Sequence, residues 1–502
     1  MKILLIKPQI TISKNFKGIG RFFPPIGLEY IAALLEQNNY TVKILDTSIE
    51  DWKKIHKRTD GMEYMGMSFD KVKKEIKKEN PDVVGITTLT VDSVNAFSIV
   101  KAIKEVNPLI KVIFGGPHVC AMPEEVINNS NVDVICIGEG EYTFLELMQE
   151  FEKKNLNLTK VKGIWYKENG KIIKNELRPL IQDLDKLPFP ARHLINYEKY
   201  AEAGKYLQGS RRVETRRDTI ISSRGCPFNC IFCTISISMG KQFRARSPEN
   251  VIKEIEEIIE KYNVGDIGFE DDNFTFNKER TNKILDLIIK KGLNKKISWS
   301  TPNGVRADTL DENLLKKMKE AGCEEIIFAP ESGNQFVVNN IIKKKLDLRI
   351  VERNAKICKE IGLRCGMFFV IGSPGETKEQ INDTVNFANK MKKEYNVFPM
   401  LFTAQPYYNT DLYKISKEKG YLTKTNKASF EQGLINEEAM IKTSEFTPEY
   451  LAKIRSEFSA SIDKMGIFEL IKSRPFDSLR AFLLHPKYII KHLSKLLYSK
   501  FT

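Results

Sequence analysis

The 502-residue sequence lacks any long uninterrupted apolar run, and this absence limits where the protein can reside. A helix that crosses a bilayer needs about 20 consecutive apolar residues, and no segment of this chain reaches about 18. The first residues, 1–6, have the pattern of a β-strand that enters the fold directly, so we expect no secretory signal. Together these absences predict a cytoplasmic protein.

The sequence also lacks the glycine-rich fingerprints of common nucleotide-binding domains. No G-x-G-x-x-G follows the first predicted strand, and no G-x4-G-K-[ST] is present. These absences argue against a dinucleotide-binding domain and against a P-loop. Most of the eight cysteines stand alone in apolar or glycine-rich settings, which indicates a reducing compartment. These isolated residues are Cys120, Cys136, Cys323, Cys358 and Cys365.

The overall composition is that of an ordinary soluble protein. Hydrophobic residues make up 42% and charged residues 29%, which is typical of a globular chain of about two to four domains. Lysine and arginine exceed aspartate and glutamate by 79 − 65 = 14, a balance that would suit an anionic partner. The lysines are spread over most predicted helices, and no aromatic–basic stripe is present. We therefore do not expect a nucleic-acid partner.

Three of the cysteines stand close together and in a distinctive setting. Cys226, Cys230 and Cys233 have the spacing C-x3-C-x2-C and follow a strand-like run, residues 218–225. A single iron or zinc ion would need a fourth protein ligand, and no fourth cysteine follows nearby. Three thiolates suit a [4Fe–4S] cluster whose fourth iron stays open to a ligand from outside the protein. The alternative is three reduced cysteines in a turn.

Residues 1–150 alternate between strands and helices. Alternation of this kind predicts an α/β domain with a parallel sheet covered on both faces, a Rossmann-like or flavodoxin-like fold. Ligands of such sheets bind beyond the carboxyl ends of the strands. The predicted strands are residues 2–6, 41–46, 82–88, 110–115 and 132–137.

The loops at those carboxyl ends resemble the cobalamin-binding domain of many radical enzymes. The resemblance rests on PPIGL at 24–28, GGPH at 115–118 and GEGE at 138–141. The D-x-H-x-x-G signature is absent, so the resemblance implies cobalamin bound without a protein histidine on cobalt. The alternative is a domain whose glycine loops merely turn the chain, or one that has lost its cofactor. The implied cobalamin-binding residues are Pro25, Gly27, Thr87, Thr88, Gly115, Gly116, His118, Gly138 and Glu139.

A connector of residues 151–215 is expected to follow. Asn169 and Gly170 stand between apolar residues and predict a hairpin turn. Four arginines, at positions 211, 212, 216 and 217, form a basic stretch before the cysteines. Such a stretch could guide an acidic electron donor, but a solvated linker is the preferred interpretation.

Residues 216–430 again alternate between strands and helices, this time in six units. Six units fall short of a closed eight-fold barrel and predict a partial (β/α)6 barrel of the TIM type. Such barrels build their sites at the carboxyl ends of the strands. The predicted strands are the run before Cys226 and residues 266–270, 297–300, 325–329, 366–371 and 398–403.

This central region resembles the radical S-adenosylmethionine superfamily, because C-x3-C-x-Φ-C, with Phe232 as Φ, is that family's signature. The resemblance implies that the three cysteines hold the cluster and that Phe232 lies against the adenine of S-adenosylmethionine. Asp271 or Asp272 would then accept a hydrogen bond from the ammonium group. Glu331 and Ser332 would meet the ribose or the amino group. The alternative for these polar residues is ordinary loop capping.

Residues 431–502 are expected to form a helical extension. Residues 447–464 have helical periodicity, and residues 487–497 combine an apolar face with lysines. A basic amphipathic helix can lie on an anionic membrane, which would place the protein at the inner face of the membrane. Docking on the barrel or on a partner protein is the alternative.

The two resemblances together imply a cobalamin-dependent radical S-adenosylmethionine enzyme, of the class B methyltransferase type. Such an enzyme methylates an unreactive carbon, here of a small-molecule or lipid substrate, by means of a 5′-deoxyadenosyl radical. It needs a reducing electron donor such as flavodoxin or ferredoxin. A radical cyclase or carbon-skeleton rearranging enzyme is the first alternative, and a non-catalytic iron–sulfur or cobalamin sensor is the second. A methylthiotransferase is weaker, because it would need three further cysteines in residues 1–150 and only two are present.

Overall fold

The computed structural model describes residues 1–12, 22–207 and 216–473. Arg211, Arg212 and the predicted helix at 487–497 lie outside the described residues, so the membrane contact stays a prediction. Among the described residues, no helix is both long enough and apolar enough to cross a membrane.

The first sheet has seven strands in the order β10-β9-β8-β7-β6-β1-β3 and confirms the predicted α/β domain. Its strands, and those of a three-stranded sheet β2-β5-β4 beside it, are β1 Lys2–Lys7, β2 Ile10–Ile12, β3 Thr41–Asp46, β4 Ile55–Lys57, β5 Glu63–Met65, β6 Val83–Thr87, β7 Lys111–Gly115, β8 Val134–Cys136, β9 Ile164–Glu168 and β10 Lys171–Lys174. The helices of this part are α1 Ile26–Gln37, α2 Thr47–Glu50, α3 Phe69–Glu79, α4 Ser93–Val106, α5 Pro117–Ala121, α6 Pro123–Asn128, α7 Glu141–Phe151 and α8 Tyr197–Leu207.

Side-chain alternation along β1 explains how this sheet is covered. Ile3 and Leu5 point into a core formed with α1 and α7, whereas Leu4 and Ile6 point into a core formed with α3 and α4. Successive residues of a strand face opposite sides, so an apolar run is buried on both faces.

The hairpin predicted in the connector belongs to this first sheet. Its turn, at Asn169 and Gly170, is where the sequence placed it, but β9 pairs antiparallel with β8 along the sheet edge. The sheet is therefore mixed rather than wholly parallel. Backbone pairing across the edge satisfies groups that an isolated hairpin would leave to solvent.

The central sheet has six parallel strands in the order β11-β14-β15-β16-β17-β18 and confirms the predicted partial barrel. Its strands, with the short pair β12 and β13, are β11 Arg216–Ile220, β12 Ser223–Arg224, β13 Arg244–Ala245, β14 Val264–Phe269, β15 Ser298–Val305, β16 Cys323–Glu331, β17 Arg364–Ile371 and β18 Phe398–Thr403. The helices are α9 Ile235–Ser238, α10 Pro248–Tyr262, α11 Lys278–Lys290, α12 Glu312–Glu320, α13 Leu348–Glu360, α14 Lys378–Tyr395, α15 Asp411–Glu418, α16 Lys427–Ile435 and α17 Pro448–Ser473.

Local sequence explains the helices of the central part, and α10 shows how. Ser247 caps its first turn by accepting a hydrogen bond from the backbone of Asn250, and Asn263 ends it in the left-handed conformation. Both are residue types favoured at those positions. The apolar residues of α10 recur at helical spacing and are buried against the sheet.

A buried charge cluster joins the connector to the central sheet. Arg192 is 1% exposed, and its guanidinium lies 2.5 Å from Asp218 and 2.7 Å from Glu254. Tyr197 also donates a hydrogen bond to Asp218, at 2.6 Å. Removing one member of such a network would leave a buried charge unpaired, so the two parts are held in one relative placement.

Candidate cofactor sites

The cysteine loop follows β11 and β12 at the carboxyl edge of the central sheet, and backbone hydrogen bonds anchor it. The Cys226 amide donates to the Gly240 carbonyl at 3.4 Å, and the Ile231 amide donates to the Ile342 carbonyl at 3.2 Å. Just before the loop, Gly225 adopts φ +83°, and a Cβ there would lie 2.3 Å from the Gln242 carbonyl oxygen. Only glycine fits that position.

The three loop thiols are the partly exposed ones, whereas the other five cysteines are buried. Burial raises the pKa of all three, that of Cys233 to about 12. Metal binding must therefore displace the protons. No three His, Cys, Asp or Glu side chains among the described residues converge tightly enough for one metal ion. An iron–sulfur cluster instead takes each thiolate on a different iron, so a wider cysteine trio fits a cluster.

Two buried cations lie beside this loop, and sequence reasoning missed both. Lys344 is 6% exposed and forms an ion pair with Glu331 at 2.8 Å. Arg306 is also buried, donates to the Lys344 carbonyl at 2.8 Å and stacks 3.6 Å from the centre of the Phe228 ring. Although burial opposes it, the ion pair with Glu331 raises the pKa of Lys344, so this side chain is a cation.

The sequence does not predict that Lys344 is buried. It is the middle residue of a run of three lysines, and such a run normally lies in solvent. Lys343 and Lys345 are exposed and adopt positive φ values of 62° and 54°. The backbone bend that these values describe turns Lys344 inward. Glu331 lies at the end of β16 with φ +69°, facing Lys344.

The two predicted aspartates, Asp271 and Asp272, differ in their hydrogen bonds. Asp271 is buried and accepts from the Ser222 amide at 2.7 Å and from the Ser222 and Ser223 hydroxyls, so its oxygens are engaged within the fold. Asp272 accepts from the Gly225 amide at 2.7 Å through one oxygen only. Burial raises the pKa of Asp272 to about 6. Of the two, Asp272 has the carboxylate that is better placed to meet a ligand.

Ser332 and Phe232 have different surroundings. The Ser332 hydroxyl is buried, lies 2.8 Å from the Thr384 hydroxyl and accepts from the Asn334 amide, so it caps its own loop. Phe232 instead lines a cavity of about 280 Å³ together with Val370 and Gln405. An oxygen of Gln405 is buried there and has no hydrogen-bond partner in the described chain. Thr403, Glu437 and Arg455 line the same cavity. Aromatic and apolar side chains with a few polar groups, one of them a free acceptor, suit an aromatic amine such as adenine.

A second cavity, of about 170 Å³, lies at the carboxyl edge of the first sheet. Six of the nine residues predicted for cobalamin line it, and Leu5, Ile113 and Phe144 form its apolar floor. Added Cβ atoms at Gly27, Gly115 or Gly138 would point into open space. The lining residues from the prediction are Gly27, Thr87, Gly115, Gly116, Gly138 and Glu139.

Pro25, Thr88 and His118 do not line this cavity. His118 is fully buried, with Nδ1 3.2 Å from the Thr90 hydroxyl and Nε2 3.6 Å from Glu125. Its amide donates to the Thr88 carbonyl at 3.1 Å. These contacts hold the loops in shape, and the His118 ring faces away from the open space.

The two candidate sites meet at Arg224, which precedes the first cysteine by two residues. Its guanidinium donates to Glu139 at 2.8 Å and to Glu141 at 2.6 Å, and Arg244 donates to Glu139 at 2.7 Å. All four side chains are buried. Although burial opposes it, hydrogen bonding from Arg244 and the charge of Arg224 lower the pKa of Glu139. Arg224 also lines the glycine-lined cavity, so the wall of this cavity lies two residues along the chain from the first cysteine.

Comparison with known proteins agrees with this architecture. The family model of the B12 binding domain matches residues 17–148, and that of the radical SAM superfamily matches residues 220–388. The chain is 34% identical to an uncharacterised methyltransferase of Pyrococcus horikoshii over 455 residues, 90% of each protein. It is 31% identical to the cytidylyl-2-hydroxyethylphosphonate methyltransferase of Streptomyces wedmorensis over 497 residues, which covers 92% of this chain and 91% of that one.

Cyclases occur among the relatives at lower identity. The anaerobic magnesium-protoporphyrin IX monomethyl ester cyclase of Rubrivivax gelatinosus is 26% identical over 88% of this chain and 74% of its own. The fold also matches the cobalamin-dependent S-adenosylmethionine radical enzyme OxsB, solved with aqua-cobalamin and S-adenosylmethionine bound. The TM-score is 0.71 at 17% identity, over 98% of this chain and 71% of that one. The protein therefore belongs to the cobalamin-dependent radical S-adenosylmethionine methyltransferase family.

Proposed function

We propose that this protein methylates an unreactive carbon of a small molecule, using a [4Fe–4S] cluster, S-adenosylmethionine and cobalamin. One observation carries the proposal. Arg224 forms part of the wall of the glycine-lined cavity and stands two residues before Cys226. The two candidate cofactor sites are therefore adjacent, as a reaction that uses both cofactors on one carbon requires.

When bound, the cluster with S-adenosylmethionine would supply a hydrogen-abstracting radical, and cobalamin would supply the methyl group. Cys226, Cys230 and Cys233 would hold the cluster. Phe232 and Gln405 would bind the adenine, and Asp272 would accept from the ammonium group. These assignments rest on the cavity lining and on the free oxygens described above.

The residues of this chain would hold cobalamin mainly through the shape of the cavity that they line. Gly27, Gly115 and Gly138 leave room at the rim, while Leu5 and Phe144 exclude water from the floor. The cavity, of about 170 Å³, would take up only part of a group as large as cobalamin.

The proposed substrate is a small molecule rather than a lipid. The support is the relative from Streptomyces wedmorensis, whose named substrate is a cytidylyl phosphonate and which shares 31% identity over nearly the whole chain. A lipid substrate would draw its support from the basic residues 487–497, which lie outside the described chain.

The test begins with anaerobic protein reconstituted with iron, sulfide and cobalamin. We expect about four iron and one cobalt per chain. With dithionite and S-adenosylmethionine, the protein should form 5′-deoxyadenosine, and with cytidylyl-2-hydroxyethylphosphonate as the first substrate tried it should also form S-adenosylhomocysteine. The matched control replaces all three loop cysteines by alanine. Iron without cobalt after reconstitution would contradict the proposal.

A cyclase is the second candidate, because cyclases occur among the relatives. Such an enzyme would form 5′-deoxyadenosine with its substrate but no S-adenosylhomocysteine. Failure to form 5′-deoxyadenosine with a strong reductant would favour a sensor instead.

A further inference from the structure

The proposed function requires an electron donor, because each reductive cleavage of S-adenosylmethionine consumes one electron. We propose that the surface around the cysteine loop binds a small acidic electron-carrier protein of the flavodoxin class. This loop face consists of Phe228, Phe243, Phe276, Lys241, Lys343 and Lys345. The proposal rests on the proposed function, because only a cluster at the cysteines gives the donor an acceptor.

The centre of the loop face is aromatic and partly open to solvent. Phe276 is 36% exposed, and its ring lies 6.0 Å from that of Phe228 and 4.8 Å from that of Phe243. Phe228 stands inside the cysteine loop between exposed Pro227 and Asn229. Exposed aromatic clusters of this kind mark interaction sites, and aromatic residues are enriched in protein interfaces.

Three lysines surround this centre, and the backbone places each of them beside the loop. Lys241 follows Gly240, whose carbonyl accepts from the Cys226 amide at 3.4 Å. Lys343 follows Ile342, whose carbonyl accepts from the Ile231 amide at 3.2 Å. The Lys345 carbonyl accepts from Arg306, the residue that stacks on Phe228, at 3.2 Å.

The charges of these lysines are not compensated within the described chain. All three are exposed, and no carboxylate of residues 1–12, 22–207 or 216–473 forms an ion pair with any of them. Nearby Lys278, by contrast, is paired with Asp311. Three free cations around an aromatic centre complement an acidic partner, and such complementarity speeds association at low salt.

The two described arginines of the basic stretch that the sequence suggested for a donor lie elsewhere. Arg216 begins β11 and is paired with Glu198, and Arg217 lies 3.8 Å from Asp266. The cysteine loop follows the other end of β11, five residues or about 16 Å along the strand. Electron transfer weakens steeply with distance, so the loop face is the better placed surface.

The redox step balances without a further reactant. The donor loses one electron, and the site that the three cysteines would form gains one before each cleavage of S-adenosylmethionine. The donor is reduced again by the cell's own reductants after it leaves.

The test measures how fast the cluster is reduced in the reconstituted full-length protein. A purified bacterial flavodoxin in its reduced form is mixed with the protein in a stopped-flow spectrometer, and the cluster's absorption is followed. The face variant is Lys241→Glu/Lys343→Glu/Lys345→Glu. The control variant, Lys295→Glu/Lys296→Glu/Lys319→Glu, makes the same charge change with exposed lysines that precede β15 and β16, at the opposite edge of the sheet.

We expect the second-order rate of the face variant to fall by about tenfold or more at low salt, and that of the control variant to change by less than about twofold. Added salt should slow the wild type and leave the face variant nearly unchanged. Equal rates for the wild type and the face variant, or equal losses in both variants, would overturn the proposal. So would a wild-type cluster that dithionite reduces but a flavodoxin does not reduce, whether or not a ferredoxin reduces it.

Dithionite separates this proposal from the proposed function. It reduces the cluster without docking, so 5′-deoxyadenosine should form equally in all three proteins. If dithionite yields no 5′-deoxyadenosine from the wild type, the proposed function fails, and the flavodoxin rates still report whether the loop face receives the donor.

Discussion

The carboxyl edges of the first sheet and of the central sheet are lined by different kinds of residue. The edge of the first sheet is lined by glycines and apolar side chains, with open space where Cβ atoms would stand. The edge of the central sheet is lined by thiols, carboxylates and buried cations. The difference indicates that the first edge binds by shape and exclusion of water, whereas the second binds by charge.

Buried ion pairs, which are characteristic of the edge of the central sheet, also join the two edges. Arg224 and Arg244 of the central part reach Glu139 and Glu141 of the first part. Fully buried ion pairs of this kind add little net stability but are costly to break. They are therefore suited to setting the relative position of two cofactors.

The largest effect is expected at the thiols. Cys226→Ala should abolish cluster assembly and lower 5′-deoxyadenosine formation by about 1,000-fold or more, because the radical chemistry is the cofactor's own. Cobalamin retention should be unchanged, since the first edge is untouched. Iron and cobalt counts on the same preparation measure both. Cys358→Ala, at a buried cysteine away from the loop, is the matched control and should keep its iron.

The next largest effect is expected where the edges meet. Arg224→Met leaves Glu139 and Glu141 buried with less compensation, so the free energy of unfolding should fall by about 3–5 kcal/mol. Urea denaturation at pH 7 measures this. The double variant Arg224→Met/Glu141→Gln removes one of the stranded charges and should recover part of the loss. No recovery would mean that Arg224 acts through packing rather than charge.

A smaller, pH-dependent effect is expected at Glu376, which follows β17 at the charged edge. Burial raises its pKa from 4.5 to about 7, although the amides of Gly372 and Ser373 donate to it. The folded state therefore binds the proton more tightly than the unfolded state does. The contribution of Glu376 to the free energy of unfolding should be greatest below about pH 4.5 and should fall as the pH rises to about 7.

At about 1.4 kcal/mol for each pH unit between those values, the loss is at most roughly 3 kcal/mol. Glu376→Gln should remove this dependence. Unfolding curves at pH 5 and pH 8 would show it as a smaller difference between the two pH values in the variant than in the wild type. An unchanged difference would show that Glu376 is not the titrating group.

The smallest effect on the fold is expected at the glycine-lined edge. Gly115→Leu places a side chain in open space, and Gly115 does not adopt a positive φ, so the free energy of unfolding should change by less than about 1 kcal/mol. Cobalamin retention after gel filtration should nevertheless fall by about tenfold, while the iron content stays constant. Loss of iron as well would indicate that the two edges are not independent.

Much of the scaffold follows from local sequence patterns. The strand-like segments at 41–46 and 366–371 predicted β3 and most of β17, and Asn169–Gly170 predicted the hairpin turn. Local patterns report which residues form an element because side-chain periodicity and turn chemistry act over a few residues. They do not report which strand a hairpin will pair with, which is why β9 and β10 were expected in a connector.

The residues of the candidate site likewise divide into those that a local pattern predicts and those that it does not. The spacing of Cys226, Cys230 and Cys233 is a local signal, and so are the glycines at the strand ends. The buried position of Lys344 between two exposed lysines follows from a backbone bend and from Glu331, 13 residues away. The pairing of Arg224 with Glu139 spans 85 residues. No periodicity carries information over that range.

The sequence by itself therefore determined the two α/β parts, the three closely spaced thiols and the glycine loops, because each depends on residues adjacent in the chain. Tertiary structure alone decided that His118 faces Thr90 rather than the cavity, that Asp272 rather than Asp271 keeps an uncommitted oxygen, and that Arg224 pairs with Glu139 in the wall of the glycine-lined cavity. These outcomes depend on which distant groups compete for each hydrogen bond, and only the folded chain brings those groups together.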